Sequence, residues 1–136
     1  MPVLLDTGCI VALLDGSERH HELCSAVVAE LEAPLLTCEP VITEACYLLR
    51  DTEDAPVAVL ENIQRNIFQI PLRLADDIPA LTKLMKKYSD LPMSLADACL
   101  VTMADKLQTG RILTLDADFK IYRWGKNRPF ELLLEI

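Results

Sequence analysis

The stretch VLLDTGCIVALL, residues 3–14, carries one charged side chain, Asp6, among mostly apolar neighbours. The aliphatic residues before Asp6 predict a first β-strand that ends there, and TGCIVALLDG predicts a short helix stopped by Gly16. An ionised carboxylate is rarely buried unless it is paired or bound to a metal ion. Asp6 is therefore either a turn residue whose side chain binds the following backbone or a member of a functional site.

The alternation of short apolar strands with helical patterns continues along the rest of the chain. We predict further strands at residues 34–38, 68–73, 111–116 and 130–136, and helices at about 20–32, 40–50, 56–65, 79–88 and 94–107. Strands rich in Val, Ile and Leu that are separated by helices are typical of a mostly parallel sheet covered on both faces. The sequence therefore predicts an α/β fold, and 136 residues predict one domain, 1–136.

Composition limits the class of protein. Apolar residues make up 51% of the chain, which is enough for a substantial core, and no apolar run reaches the ~20 residues of a membrane span. The apolar N-terminus has no basic residues before it, so we do not expect a signal peptide. The five cysteines form no CxxC pair, which favours reduced thiols in a cytoplasmic protein over zinc sites or disulfides.

Other isolated acids lie in apolar stretches: Glu44 in VITEACYLL, Asp97 in SLADACLV, and Asp116 with Asp118 in ILTLDADF. Each has a purely structural interpretation. Asp97 fits a capping box with Ser94, Glu44 fits a helix start, and one acid of LDADF fits a turn. Functional sites of open α/β sheets, however, form beyond the carboxyl ends of the strands, where these acids are expected to meet. Because crowded carboxylates repel one another, a shared divalent cation is the simplest common explanation.

The ordered set of these motifs resembles a known family. Along the chain come an Asp ending the first strand with Thr next (LLDTGCIVALL), a helix-borne Glu (TEACYLL), an Asp in SLADACL, and a T-x-D with a trailing D-F (TLDADF). This order resembles PIN-domain nucleases, and the compact size resembles the VapC-like toxin ribonucleases of type II toxin–antitoxin systems. The resemblance covers nearly the whole chain and implies a PIN-like three-layer fold.

The resemblance also implies roles for particular residues. The catalytic, metal-binding quartet would be Asp6, Glu44, Asp97 and Asp116, with Asp118 as an additional metal ligand that competes with Asp116 for the fourth place. Thr7, Ser94 and Thr114 would support the site or the substrate. The implied cofactor is Mg²⁺ or Mn²⁺, as one or two ions. The implied reaction is endonucleolytic hydrolysis of RNA phosphodiester bonds, in the cytoplasm and away from membranes, by a homodimer that a cognate antitoxin protein binds.

Charge does not decide the partner. The net charge of −8 is unusual for a protein that holds RNA by its phosphates. The C-terminal part is nevertheless basic and aromatic, through Phe119, Lys120, Tyr122, Arg123, Trp124, Lys126 and Arg128. This segment either stacks bases and binds phosphates or, as we favour, forms a surface strap with Trp124 packed against the core.

Three alternatives remain open from sequence alone. The LLDTG motif is similar to the D-T-G of retroviral-type aspartic proteases, but those folds are all-β and rich in glycine, whereas this chain has only four glycines. A second alternative is a catalytically inactive PIN-fold binding or regulatory module. A third is a PIN nuclease outside toxin–antitoxin systems that acts on DNA or structured RNA.

Overall fold

The computed structural model describes residues 1–134. The strands are β1 (Val3–Leu5), β2 (Leu35–Leu36), β3 (Phe68–Gln69), β4 (Arg111–Leu113), β5 (Arg123–Trp124), β6 (Arg128–Pro129) and β7 (Glu131–Leu132). The α-helices are α1 (Thr7–Leu14), α2 (His21–Glu30), α3 (Glu39–Leu48), α4 (Ala55–Gln64), α5 (Ile78–Lys87) and α6 (Leu95–Leu107). Two short 3₁₀ helices span Leu74–Asp76 and Ala117–Lys120.

The central sheet has five parallel strands in the order β3-β2-β1-β4-β7. The middle strand, β1, is fully buried, as expected for a strand covered on both faces. Helices flank the sheet, with α1 against α2 and α3 in one group and α5 against α6 in another. The predicted α/β fold with a mostly parallel sheet is therefore confirmed, and the all-β fold of an aspartic protease is excluded.

The predicted element boundaries differ from the structure at the ends of the strands. The third strand is only Phe68–Gln69 rather than 68–73, because Pro71 has no amide hydrogen with which to continue a ladder. The last strand is Glu131–Leu132 rather than 130–136, and residues 135 and 136 of that prediction lie outside the described residues. Glu44 was expected near the first turn of its helix, but α3 begins at Glu39, so Glu44 lies in the second turn.

The basic and aromatic segment forms a small antiparallel hairpin, β5–β6, that the sequence did not predict. Trp124 is buried, and its indole lies so close to Gly110 that a Cβ atom there would overlap the ring. Phe119 and Tyr122 are also fully buried, with ring centroids 5.0 Å apart in an edge-to-face arrangement. The packed strap is therefore confirmed, and these three aromatic side chains are not available to stack bases.

Within residues 1–134, none of the helices is both long and apolar enough to span a membrane.

Candidate metal centre

Asp6 lies at the junction between the central strand and the first helix. One carboxylate oxygen, Oδ1, accepts a hydrogen bond from the backbone N–H of Thr7 (2.8 Å) and thereby caps α1. The other, Oδ2, accepts from the hydroxyl of Thr114 (2.7 Å), which follows the neighbouring strand β4. Asp6 is only 6% exposed. The carboxylate is therefore fixed by residues at the ends of both strands, and the turn interaction predicted for Asp6 is present.

Asp97 is held by two different parts of the chain. It is the third residue of α6, and its backbone N–H donates to the hydroxyl of Ser94, the N-cap, at 3.0 Å. Its Oδ2 accepts a hydrogen bond from the buried hydroxyl of Tyr122, also at 3.0 Å. The predicted capping interaction is present, yet the carboxylate itself faces Tyr122. Asp97 is thus oriented by a tyrosine 25 positions further along the chain.

Asp116 follows β4 and is the N-cap of the second 3₁₀ helix. Its backbone N–H donates to the hydroxyl of Thr114 (3.0 Å), and its Oδ1 accepts from the backbone N–H of Asp118 (2.9 Å). Thr114 therefore binds both Asp6 and the backbone of Asp116. This arrangement fixes the turn after β4 relative to the end of β1. Of Asp116 and Asp118, one of which was predicted to be a turn residue, Asp116 is the one whose side chain binds the turn backbone.

The three aspartates form one cluster. Asp6, Asp97 and Asp116 each offer a carboxylate oxygen, and these oxygens lie within 4.8 Å of one another. They line a cavity of about 410 Å³ together with Glu44 and Asp118. The cavity is also lined by Thr7, Gly8, Pro92, Ser94, Ala96 and Leu115. This cavity is thus lined by every acid and supporting residue predicted from sequence except Thr114, whose hydroxyl binds Asp6.

Glu44 and Asp118 are placed differently from the three clustered acids. Glu44 is exposed and Asp118 is half-buried, and among the described residues neither belongs to the set of oxygens that lie within 4.8 Å of one another. Asp116, and not Asp118, therefore offers a carboxylate oxygen close to those of both Asp6 and Asp97.

The electrostatics of the cluster favour a cation. Within residues 1–134, no Lys, Arg or His nitrogen lies within 4.0 Å of the three carboxylates. Burial raises the pKa of Asp6, against the hydrogen bonds from Thr114 and Thr7, and the nearby charge of Asp116 raises it further. Burial and then the charge of Asp6 raise the pKa of Asp97 to about 6. The donor set, carboxylate oxygens that repel one another, fits a hard divalent ion such as Mg²⁺ or Mn²⁺.

The sequence analysis missed the contact between Tyr122 and Asp97, and it identified Thr7 without the unpaired hydroxyl that the structure shows. Tyr122 was noted only as part of the basic and aromatic segment, and no sequence signal links it to Asp97. The buried hydroxyl of Thr7 has no hydrogen-bond partner within residues 1–134, although this side chain lines the cavity. An unpaired buried hydroxyl is costly, so this position suits a bound group that accepts or donates a hydrogen bond.

Comparisons with known proteins show the family and the fold of this chain. Residues 3–125 match the family model described as PIN domain. The chain is 30% identical to Ribonuclease VapC26 of Mycobacterium tuberculosis over 116 residues, which cover 84% of this chain and 86% of that protein. The crystal structure of Mycobacterium tuberculosis VapC20, a toxin that cleaves the sarcin–ricin loop, superposes with a TM-score of 0.81 at 20% identity. That match covers 93% of this chain and 99% of VapC20, and it shows a shared fold.

We predict that Tyr122→Phe weakens Mn²⁺ binding by about 10- to 100-fold, because Asp97 loses the partner that orients its Oδ2. Isothermal titration calorimetry measures this change directly. Tyr88→Phe is the matched control: the Tyr88 ring packs on Tyr122 at 5.0 Å, but its hydroxyl accepts from the backbone of Arg123. Equal Mn²⁺ affinity for Tyr122→Phe and the wild type would show that the hydroxyl does not position the carboxylate.

We also predict that the metal-free protein becomes more stable as the pH falls from about 7.5 to about 5. Asp97 has a pKa of about 6 in the folded protein but close to 4 in the unfolded chain. The folded state therefore binds the proton more tightly, and the free energy of unfolding rises by about 1 kcal/mol over this range. Urea unfolding in EDTA measures it.

The Asp97→Asn variant should show a smaller rise in stability over the same pH range. Asp51→Asn, which changes an exposed acid, should keep the wild-type rise. An undiminished rise in Asp97→Asn would contradict the assignment of the pH dependence to this carboxyl.

Proposed function

The chain belongs to the PIN domain family, and we propose that it is a divalent-metal-dependent endoribonuclease of the VapC type, the toxin of a toxin–antitoxin pair. The observation that carries this proposal is the cluster of Asp6, Asp97 and Asp116 at the carboxyl edge of the parallel sheet. The 30% identity to a VapC ribonuclease over most of both chains supports RNA as the substrate.

The acidic quartet assigned to the reaction is Asp6, Glu44, Asp97 and Asp116. Asp6, Asp97 and Asp116 would hold a Mg²⁺ or Mn²⁺ ion, and Glu44 and Asp118, on the wall of the same cavity, would extend the set for one or two ions. Such ions activate water for attack on a phosphodiester and stabilise the charge that builds on the leaving oxygen. The geometry favours Asp116 over Asp118 for the fourth place, because only Asp116 belongs to the cluster.

The chain's own groups prepare this edge for an anionic substrate. Thr114 and the backbone of Thr7 donate hydrogen bonds to the ionised form of Asp6 and hold its two oxygens in fixed directions. The first turn of α6 lines the cavity through Ala96 and Asp97. The positive end of that helix therefore lies where a phosphate group must approach the acids, and it offsets part of their charge.

A protein partner fits the surface next to the acids. Glu44 lies on the wall of the acidic cavity and also on the wall of an adjoining groove of about 720 Å³, which Tyr47, Leu74 and Leu95 make largely apolar. An antitoxin segment with apolar residues for the groove and a basic residue for the acids would cover both and block the site. The relationship to VapC toxins supports this partner.

We also propose a homodimer that acts in the cytoplasm. Exposed apolar side chains are concentrated on α3 and α4, at Tyr47, Leu48, Val57 and Leu60, and such surfaces are typical of interfaces. The five free cysteines, four of them buried, suit a reducing compartment.

We predict that the purified protein cleaves RNA with Mg²⁺ or Mn²⁺, that EDTA abolishes cleavage, and that Asp6→Asn or Asp97→Asn lowers the rate by at least about 100-fold. Gel analysis of RNA fragments measures the rate, with Asp51→Asn as the control that keeps wild-type activity. RNA binding without cleavage by the wild type would favour the inactive binding module. Cleavage of DNA in preference to RNA would favour a nuclease outside toxin–antitoxin systems.

We predict that Leu60→Asp converts the dimer to a monomer, because a charge cannot be buried in an apolar interface without a partner. Size-exclusion chromatography with light scattering gives the mass. Ile121→Asp is the matched control, since Ile121 is 52% exposed and Leu60 is 56% exposed but Ile121 lies outside α3 and α4. A wild-type protein that is monomeric at high concentration would contradict the dimer.

A further inference from the structure

A second cavity lies beside the acidic cavity, beyond the carboxyl ends of β4 and β7. Its volume is about 300 Å³. Its walls come from the turn after β4 and from β7 with the residues that follow it, through Thr114, Leu115, Asp116, Ala117, Lys120, Leu132 and Leu134. The proposed reaction uses Asp116 and Thr114 of this wall, and Thr114 is committed to Asp6. It gives no role to the other side chains.

The two cavities share a wall. Leu115 and Asp116 line both of them, so a group bound in the second cavity lies beside Asp116, one of the three clustered acids. The wall is rigid, because Thr114 binds the backbone of Asp116 and Asp116 in turn binds the backbone of Asp118. An occupant of the second cavity is therefore held at a fixed position relative to the reacting phosphate.

The chemistry of the walls suits a nucleobase. Leu115, Leu132 and Leu134 supply apolar faces, and unpaired bases are held in proteins between aromatic or apolar side chains. The volume is at the small end of ligand sites, which begin at about 300 Å³, and so admits one heterocycle rather than a peptide helix. The single cation, Lys120, is exposed, where its ammonium group can contact the phosphate attached to that base.

We propose that this cavity, the base pocket, binds the unpaired base of the nucleotide next to the scissile phosphate, and that Lys120 contacts that nucleotide's phosphate. The inference rests on the proposed ribonuclease function and names a subsite for its substrate. Because a base paired in an A-form helix cannot leave the stack without a cost, the pocket selects single-stranded or looped RNA. The base pocket thus fixes which phosphate reaches the acids.

The test uses a short single-stranded RNA that the wild-type protein cleaves at one bond, and a series of the same RNA with one abasic nucleotide at each position. Every abasic nucleotide keeps its ribose and phosphate, so only the base is removed. We expect one position next to the cleaved bond to raise KM by about 10-fold, and the other positions to change it by less than about twofold.

Two variants that fill the base pocket complete the test. Leu132→Trp occupies it from the strand side, and Ala117→Leu, at an exposed position, occupies it from the turn without disturbing the core. Both should raise KM for the intact RNA by about 10-fold and remove the difference in KM between intact and abasic RNA. Ile121→Trp adds the same bulk outside the pocket and should leave the wild-type pattern unchanged.

The outcomes separate this proposal from the one on which it rests. If the wild type cleaves the RNA but tolerates the loss of every base equally, the base pocket is wrong and the ribonuclease function stands. The base pocket is also wrong if the two pocket variants keep the wild-type dependence on that base. If no RNA is cleaved with Mg²⁺ or Mn²⁺, both proposals are overturned.

Discussion

The hydrogen bond from the Thr114 hydroxyl to Asp6, 2.7 Å long, connects the two strands on which the site depends. Thr114 follows β4 and Asp6 follows β1, and these strands pair in parallel with Leu5 opposite Leu113. The same hydroxyl accepts from the backbone of Asp116. One buried side chain therefore fixes the relative position of two clustered acids and of the turn that separates the acidic cavity from the base pocket. With an apolar residue at position 114, Asp6 would still be buried, but its ionised carboxylate would lose the hydrogen bond that the Thr114 hydroxyl donates.

Most of the acids have a local structural role in addition to their place in the cluster. Asp6 caps α1, Asp116 caps the second 3₁₀ helix, and Asp97 follows the Ser94 cap of α6. The sequence patterns that suggested a turn at Asp6, a turn in LDADF and a Ser94 cap before Asp97 were thus correct, whereas Glu44 is not at the helix start expected for it. A helix start is where backbone N–H groups are free, so an acid there is already held in place before it meets a cation.

The parts of the fold and the site that depend on neighbouring residues in the sequence were predictable, and the parts that depend on distant residues were not. The buried strand before Asp6 and the helix of residues 95–107 were clear, because a run of apolar residues leaves few alternatives. Tyr122 and the base pocket were not predicted, because each depends on residues far apart in sequence: Tyr122 meets Asp97, and Leu132 faces the turn after Leu113. The short hairpin β5–β6 was missed because its pairing is held by the packing of Trp124 rather than by alternation.

The net charge of −8 and an RNA substrate are compatible because of how the charges are used. Three acids lie close together, and their mutual repulsion lowers the stability of the metal-free protein. The same concentration of negative charge attracts a divalent cation. Several cations are engaged elsewhere: the Arg123 guanidinium donates to the backbone carbonyls of residues 120–122, and Lys106 binds Asp77. Lys120 lies on the wall beside the acids. With the proposed cation bound to the acids, this edge would attract the phosphates of a polyanion instead of repelling them, so the same charges would couple metal binding to substrate binding.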